Sequence, residues 1–189
     1  MFQKRVECSE RRSEEGPQHP SSHRVRFFSR LFALNEKGEY VMASDSQVLA
    51  EAMLAIDYRY PVGAPFSSAA DTKAYFRAKL ARHEYEVFAV AFLDNQHRLL
   101  ACDEMFRGSV ATVDVHPREI ARRALQLNAS AVILSHNHPS FRPQPSEADV
   151  AITLRIQKAL SLIAVRVIDH IIVAGNETLS LAGQGFLNR

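Results

Sequence analysis

The run Ala131-Val132-Ile133-Leu134-Ser135-His136-Asn137-His138-Pro139 governs how the rest of the chain is read. Four apolar residues in a row, bounded by polar ones, have the length and composition of a short buried strand. His136 and His138 follow directly. In extended backbone, side chains at i and i+2 share a face, so both imidazoles can point at one metal ion. A polar, proline-rich loop runs from Ser140 to Pro145, and Ser146 then starts a helix whose first turn carries Asp149. Two imidazole nitrogens and one carboxylate oxygen suit Zn²⁺. Three protein ligands leave a coordination position open, the mark of a catalytic rather than a structural site. The helix dipole also favours a carboxylate on the first turn. The same residues have a second reading. Ser146 and Asp149 fit a Ser-x-x-acid capping box that needs no metal, and two loop histidines can make local hydrogen bonds. Spacing alone leaves both open.

Working outward, Ile152, Ile156, Ala159, Leu160 and Ile163 recur at helical spacing and are expected to face inward. Val165 to Ala174 and Thr178 to Leu181 read as a closing hairpin about Gly175-Asn176. Upstream, Pro117 at a first helical turn, then Ile120, Ala121, Ala124 and Leu125, mark a helix ending near Asn128. Val87 to Leu93 is a buried strand, Asp94-Asn95-Gln96 is turn chemistry, and Leu99 to Phe106 is the antiparallel partner. Gly108 precedes a further strand through Val110 and Val113. Two helices come earlier. One spans Asp45 to Tyr58, with Ser46 as its cap and Val48, Leu49, Ala52, Met53 and Ile56 at helical spacing; the other runs from about Ser68 to Ala81, with Tyr75, Phe76 and Leu80 on one face. Pro61, Gly63 and Pro65 break the chain between them. Val25 to Leu34 fits a helix or a strand. Residues 1 to about 25 mix charge with Ser, Pro and Gly without periodicity and read as disordered.

The 189 residues are 47 % apolar, enough for a true core, and carry a formal charge of +2. That near-neutral balance argues against a dedicated nucleic-acid binder, whose affinity rests on phosphate neutralisation. Cys8 and Cys102 are far apart, so neither a disulfide framework nor a paired-cysteine metal site is expected. A reducing cytoplasm is the expected location. No signal-peptide pattern is visible in the charged N-terminal stretch. The longest apolar run, Val87 to Leu93, falls well short of the ~18 residues of a membrane span, so no membrane partner is expected.

His136-x-His138-Pro139, followed by Ser146-x-x-Asp149, resembles the JAMM (JAB/MPN) metallopeptidase signature. Within that superfamily the chain is similar to the RadC-like branch. Supporting stretches are Tyr85-Glu86-Val87-Phe88, the segment Phe92 to Leu99, Val115-His116-Pro117-Arg118-Glu119-Ile120, His136 to Ser140, and Asp169-His170-Ile171-Ile172-Val173. The resemblance covers about Asp45 to Leu187. It departs from the family pattern at Phe141, which stands where the family usually carries glycine. The N-terminal helix-hairpin-helix module of longer family members is not evident.

The resemblance implies an α/β fold, a single mixed-sheet MPN/JAB-like domain flanked by helices. Two helices and a disordered N-terminal tail precede it. The implied organisation is a tail over 1–25, an N-terminal helical extension over 26–83, and the JAMM/MPN domain over 84–189. It also implies roles: His136, His138 and Asp149 as ligands of one Zn²⁺, Glu86 as the base that deprotonates water, and Ser146 as a donor to the tetrahedral oxyanion. The implied reaction is hydrolysis of a peptide or isopeptide-like amide in a peptide or protein substrate. Glu84 could share the strand face of Glu86 and is the alternative base. Glu86 is preferred because it adjoins Val87-Phe88, nearer the apolar core, where desolvation raises a carboxylate pKa. His116 and His170 read as structural hydrogen-bonding histidines, Asp169 or another acid as an outer partner of a ligating imidazole, and Cys102 as a small core residue.

Two rival functions stand beside this one. A DNA-repair-associated or DNA-binding role follows from the family's historical name; Arg11-Arg12, Arg24, Arg26 and Arg30 are basic, but Glu7, Glu10, Glu14 and Glu15 are interspersed. A metal-binding, non-catalytic interaction module is the other. Scaffold members of the wider superfamily typically lack the ligands, and this chain keeps all of them.

Overall fold

The computed structural model describes residues 31–66, 68–108 and 114–187. The expected tail, the five basic residues named above and the expected strand through Val110 and Val113 lie outside them. A small hairpin, β1 (Phe32–Leu34) and β2 (Tyr40–Met42), comes first. Its turn is local: the Asn35 side-chain oxygen accepts from the backbone N–H of Lys37 and Glu39, and Gly38 takes a positive φ. Strand β1 falls at the end of the segment Val25 to Leu34 that fits a helix or a strand from sequence, while β2 is an addition to the helical extension.

Helices α1 (Asp45–Arg59) and α2 (Ala69–Leu80) follow. The cap of α1 is Ser44, whose Oγ accepts from the Gln47 backbone N–H, rather than Ser46. The helix begins at Asp45, as its periodicity indicates, and runs one residue further, to Arg59. Leu49 and Leu54 are exposed because α1 packs on α2 and not on the sheet.

The main sheet has order β4-β3-β5-β6-β7, formed by β3 (Val87–Leu93), β4 (Leu99–Arg107), β5 (Ala131–Asn137), β6 (Arg166–Ala174) and β7 (Glu177–Ser180). It is mixed: β3 runs antiparallel to β4 and β5, while β5 and β6 are parallel, joined by the helix α4 (Glu147–Ser161). The helix α3 (Pro117–Gln126) packs beside α4.

Strand β3 is apolar at every position because both of its faces are covered. Phe88, Val90 and Phe92 pack with Val132 and Leu134 under Ile120, Ala124, Ile156 and Leu160 of α3 and α4. Val87, Ala89, Ala91 and Leu93 pack with Ile133 under Tyr75, Phe76 and Leu80 of α2. Each fully buried aliphatic or Phe side chain here contributes about 1.5–3 kcal/mol of transfer free energy. Helix α2 therefore shares the core of the sheet, although its sequence was grouped with the extension. Leu125 faces solvent; the buried residues of α3 are Ile120 and Ala124. Among the described residues no helix is long and apolar enough to cross a membrane.

Candidate metal centre

Register places the site. In the antiparallel pair β3–β5, Phe88 lies opposite His136. Glu86, two residues before Phe88, falls by strand alternation on the same face, the one that α4 covers. The chain leaves β5 after Asn137, with the His138 N–H donating to the Val173 carbonyl, and returns at the N-terminus of α4.

There Ser146 and Asp149 form the capping box, and the same carboxylate is turned toward the two histidines. Ser146 Oγ accepts from the Asp149 N–H, and the Ser146 N–H donates to Asp149 Oδ2 at 2.7 Å, a complete capping box. The Ser146 hydroxyl also donates to Oδ2, at 2.6 Å. The cap holds the carboxylate rigidly against the histidines. Asp149 Oδ1 is 3.2 Å from His136 Nε2, Oδ2 is 3.5 Å from His138 Nε2, and the two imidazole nitrogens are 2.9 Å apart. A tetrahedral zinc with ~2.0–2.1 Å bonds has ligand–ligand edges of about 3.3 Å, so these separations fit one ion.

Proton direction sharpens the fit. His138 Nδ1 lies 2.6 Å from the Arg142 carbonyl, which can only accept, so Nδ1 carries the proton and the neutral ring turns a bare Nε2 to the cluster. A bare nitrogen 2.9 Å from another ring nitrogen and beside a carboxylate calls for a cation or a shared proton.

Electrostatics agree. The hydrogen bond to Asp149 holds the His138 pKa above its ordinary value, against the opposing effect of burial. Burial pushes Asp149 up, but its hydrogen bonds to His136, His138 and Ser146 outweigh this and hold the carboxyl far below the usual range. Both shifts are stability statements. The raised His138 stabilises the metal-free fold below its unfolded pKa near 6.5, and that contribution disappears as pH rises through the folded value. The depressed Asp149 stabilises it above about 3.8 and loses effect as pH falls. Metal-free protein is therefore expected to lose Tm as pH rises above 6.5, whereas stabilisation by added zinc grows over the same range because protons compete with the metal. Thermal melts against pH, with and without zinc, check this.

Glu86 is half-buried and lines a cavity of about 520 Å³ with Asp114, His138, Ser146, Asp149 and Arg155. Burial raises its pKa, His136 opposes the shift, and the Asp149 charge adds to it. Glu84 is exposed and lines a separate cavity of about 320 Å³ behind His138 and Pro139. Only Glu86 faces the three candidate ligands.

Two residues near the site, Asn137 and Thr153, were missed from the sequence, and the outer partner expected to be an acid is the hydrogen-bonding His170. Asn137 points to the opposite face of β5. Its side-chain oxygen accepts from the Val87 N–H at 2.8 Å, and its amide donates to the Tyr85 carbonyl at 2.9 Å. It thus pins the residues on either side of Glu86. The available signal was a polar residue at a buried alternate position of a strand. Asn137→Ala is expected to cost about 1–3 kcal/mol by leaving the Val87 N–H unsatisfied, measured by denaturant unfolding.

The outer partner of His136 is His170, not Asp169: His136 Nδ1 and His170 Nε2 are 2.8 Å apart. Asp169 instead accepts from the Ser180 hydroxyl and the backbone N–H groups of His170 and Ala182. Beyond His170 lies Thr153, four residues after Asp149 on the same helix face. His116 sits at the cap of α3, its ring edge-on to Phe106 and away from the ligands. Cys102 is half-buried against the core, and desolvation pushes its thiol up to about 11.

Phe141 adopts φ 58°, the left-handed region that glycine favours. The loop thus keeps a glycine-like path, at a cost of about 1–2 kcal/mol for a side chain there. The phenyl ring covers Gly175, where a Cβ would stand 2.7 Å from its Cδ1.

The fold and site together define a class: a mixed α/β domain that presents two imidazoles and a carboxylate, from a strand end and the next helix, beside a half-buried glutamate. Within that class the chain belongs to the RadC-like JAB domain family, whose model matches residues 66–186. It is 49 % identical over 145 residues to a UPF0758 protein of Vibrio cholerae serotype O1, covering 77 % of this chain and 91 % of the relative. It is 50 % identical over 126 residues to a UPF0758 protein of Cellvibrio japonicus (67 % and 56 %) and 53 % identical over 116 residues to one of Nitrosococcus oceani (61 % and 52 %). The matches span about half the length of these last two relatives.

Proposed function

We propose that this chain is a zinc-dependent amide hydrolase of the JAMM type, acting on a peptide or isopeptide-like bond. The observation that carries the reading is the convergence of His136, His138 and Asp149, whose ligand atoms lie within 4.8 Å of one another, beside a cavity of about 520 Å³. These three residues would hold the ion. Zinc supplies a Lewis acid that polarises a carbonyl and brings the pKa of water toward neutrality.

The chain's own residues do the rest. Glu86, its pKa raised by burial, takes a proton from water onto its carboxylate and delivers it to the leaving amine. Ser146, at the cavity wall, turns its hydroxyl from Asp149 Oδ2 toward the developing oxyanion. Asn137 keeps the backbone of Glu86 in place. Metal analysis of the purified protein beside a His138→Ala variant tests the reading. About one zinc per chain is expected in the parent and none in the variant; equal metal in both would overturn it. A screen for cleaved peptides then identifies the substrate.

A further inference from the structure

The ring of His136 is held from behind by a chain of three hydrogen bonds that returns to Asp149. His170, fully buried, sits with Nε2 2.8 Å from His136 Nδ1 and Nδ1 2.6 Å from Thr153 Oγ1. Thr153, also buried, donates its hydroxyl proton to the backbone carbonyl of Asp149. The direction of every proton follows from the Asp149 carbonyl, which can only accept. Thr153 has a single proton and spends it there, so it must accept from His170 Nδ1–H. Among the described residues no carboxylate is hydrogen-bonded to the buried His170 ring, which contacts Phe88, His136 and Thr153. A charged imidazole there would be desolvated without a counter-ion, so the ring is neutral and its Nε2 is bare. His136 Nδ1 must therefore donate to it. Neutral His136 then turns a bare Nε2 toward His138 and Asp149.

We propose that Thr153 and His170 are positioning residues that lock His136 in the Nδ1–H tautomer, so that the candidate metal centre is set for a cation by a closed loop running from Asp149 back to itself. This rests on the metal reading above and extends it to residues that do not touch the ion. Without the Thr153 hydroxyl, nothing keeps the His170 proton on Nδ1. Moved to Nε2, it would donate to His136 Nδ1 and push the His136 proton onto Nε2, facing the other two ligands.

The test uses the full chain labelled with ¹⁵N-histidine, in parent, Thr153→Val and Thr153→Ser forms. Valine keeps the volume and loses the hydroxyl; serine keeps the hydroxyl. In metal-free protein, long-range ¹⁵N–¹H spectra are expected to show His136 as the Nδ1–H tautomer in the parent and the serine form, and not in the valine form. Zinc affinity by chelator competition is expected to fall about 10–100-fold for valine, the usual cost of losing such a partner, and to be restored by serine. An Nε2–H tautomer for His136 in the parent overturns the proposal. So does a valine form with parental zinc affinity, or an equal fall in both variants, which would mark lost packing rather than a lost proton path. If valine prevents folding, the parental tautomer and the serine form decide. Failure of the parent to bind zinc would defeat the proposed function, while the tautomer would still report on the relay.

Discussion

Asp149→Asn is expected to abolish zinc binding at micromolar metal while leaving the helix start intact. The reason is that Asp149 does two jobs with one side chain. Its Oδ2 accepts the Ser146 N–H in the capping box, and both oxygens face the histidines, at 3.2 and 3.5 Å. Asparagine can still accept the cap hydrogen bond through its side-chain oxygen, but it brings no charge to the centre. Losing an outer partner of a metal ligand costs about 10–100-fold in affinity, and losing a charged ligand is expected to cost more than about 100-fold. Asp149→Ala removes the cap as well and is expected to add about 0.5–2 kcal/mol of destabilisation. Chelator competition and thermal melts on the two variants separate the roles. An asparagine variant that binds zinc like the parent would exclude Asp149 as a ligand.

Glu86→Gln should keep its zinc and lose hydrolysis by about 10²–10⁴-fold, the usual worth of a positioned acid–base group. Glutamine preserves the size and hydrogen-bonding reach of the side chain but cannot hold the transferred proton. Glu84→Gln is expected to leave the rate unchanged, because Glu84 is solvent-exposed and lines the other cavity. The sign of the pH effect follows from burial. In metal-free protein Glu86 titrates above its ordinary 4.5, and a cation held by the ligands acts in the opposite direction. Turnover of the peptide found in the cleavage screen, with zinc content measured in parallel, decides the matter. An active glutamine variant would exclude Glu86 as the base.

Much of this site can be read without coordinates because its parts are local. His136 and His138 need only strand alternation to share a face, and Asp149 needs only the cap that Ser146 begins. The uninterrupted apolar run from Val87 to Leu93 signals a strand covered on both sides, and α2 and the α3–α4 layer cover it. Errors arose where a local pattern had no tertiary surface to meet. Leu49 of α1 and Leu125 of α3 follow helical spacing yet face out, since periodicity describes a helix face and not what lies against it.

The sequence by itself determined the strand–loop–helix order and, by short-range spacing and backbone geometry, made His136, His138 and Asp149 able to share an ion; the family resemblance, carried by separate motifs from Tyr85 to Val173, chose that reading over a plain capping box. Tertiary structure alone decided that Glu86 and not Glu84 faces those ligands, since that depends on the β3–β5 register across 50 residues of chain. It also decided that His170 and Thr153, rather than Asp169, stand behind His136. Those contacts span 34 and 17 residues, and no local pattern encodes which buried polar groups will meet once the parallel β5–β6 pair and α4 have closed over one another.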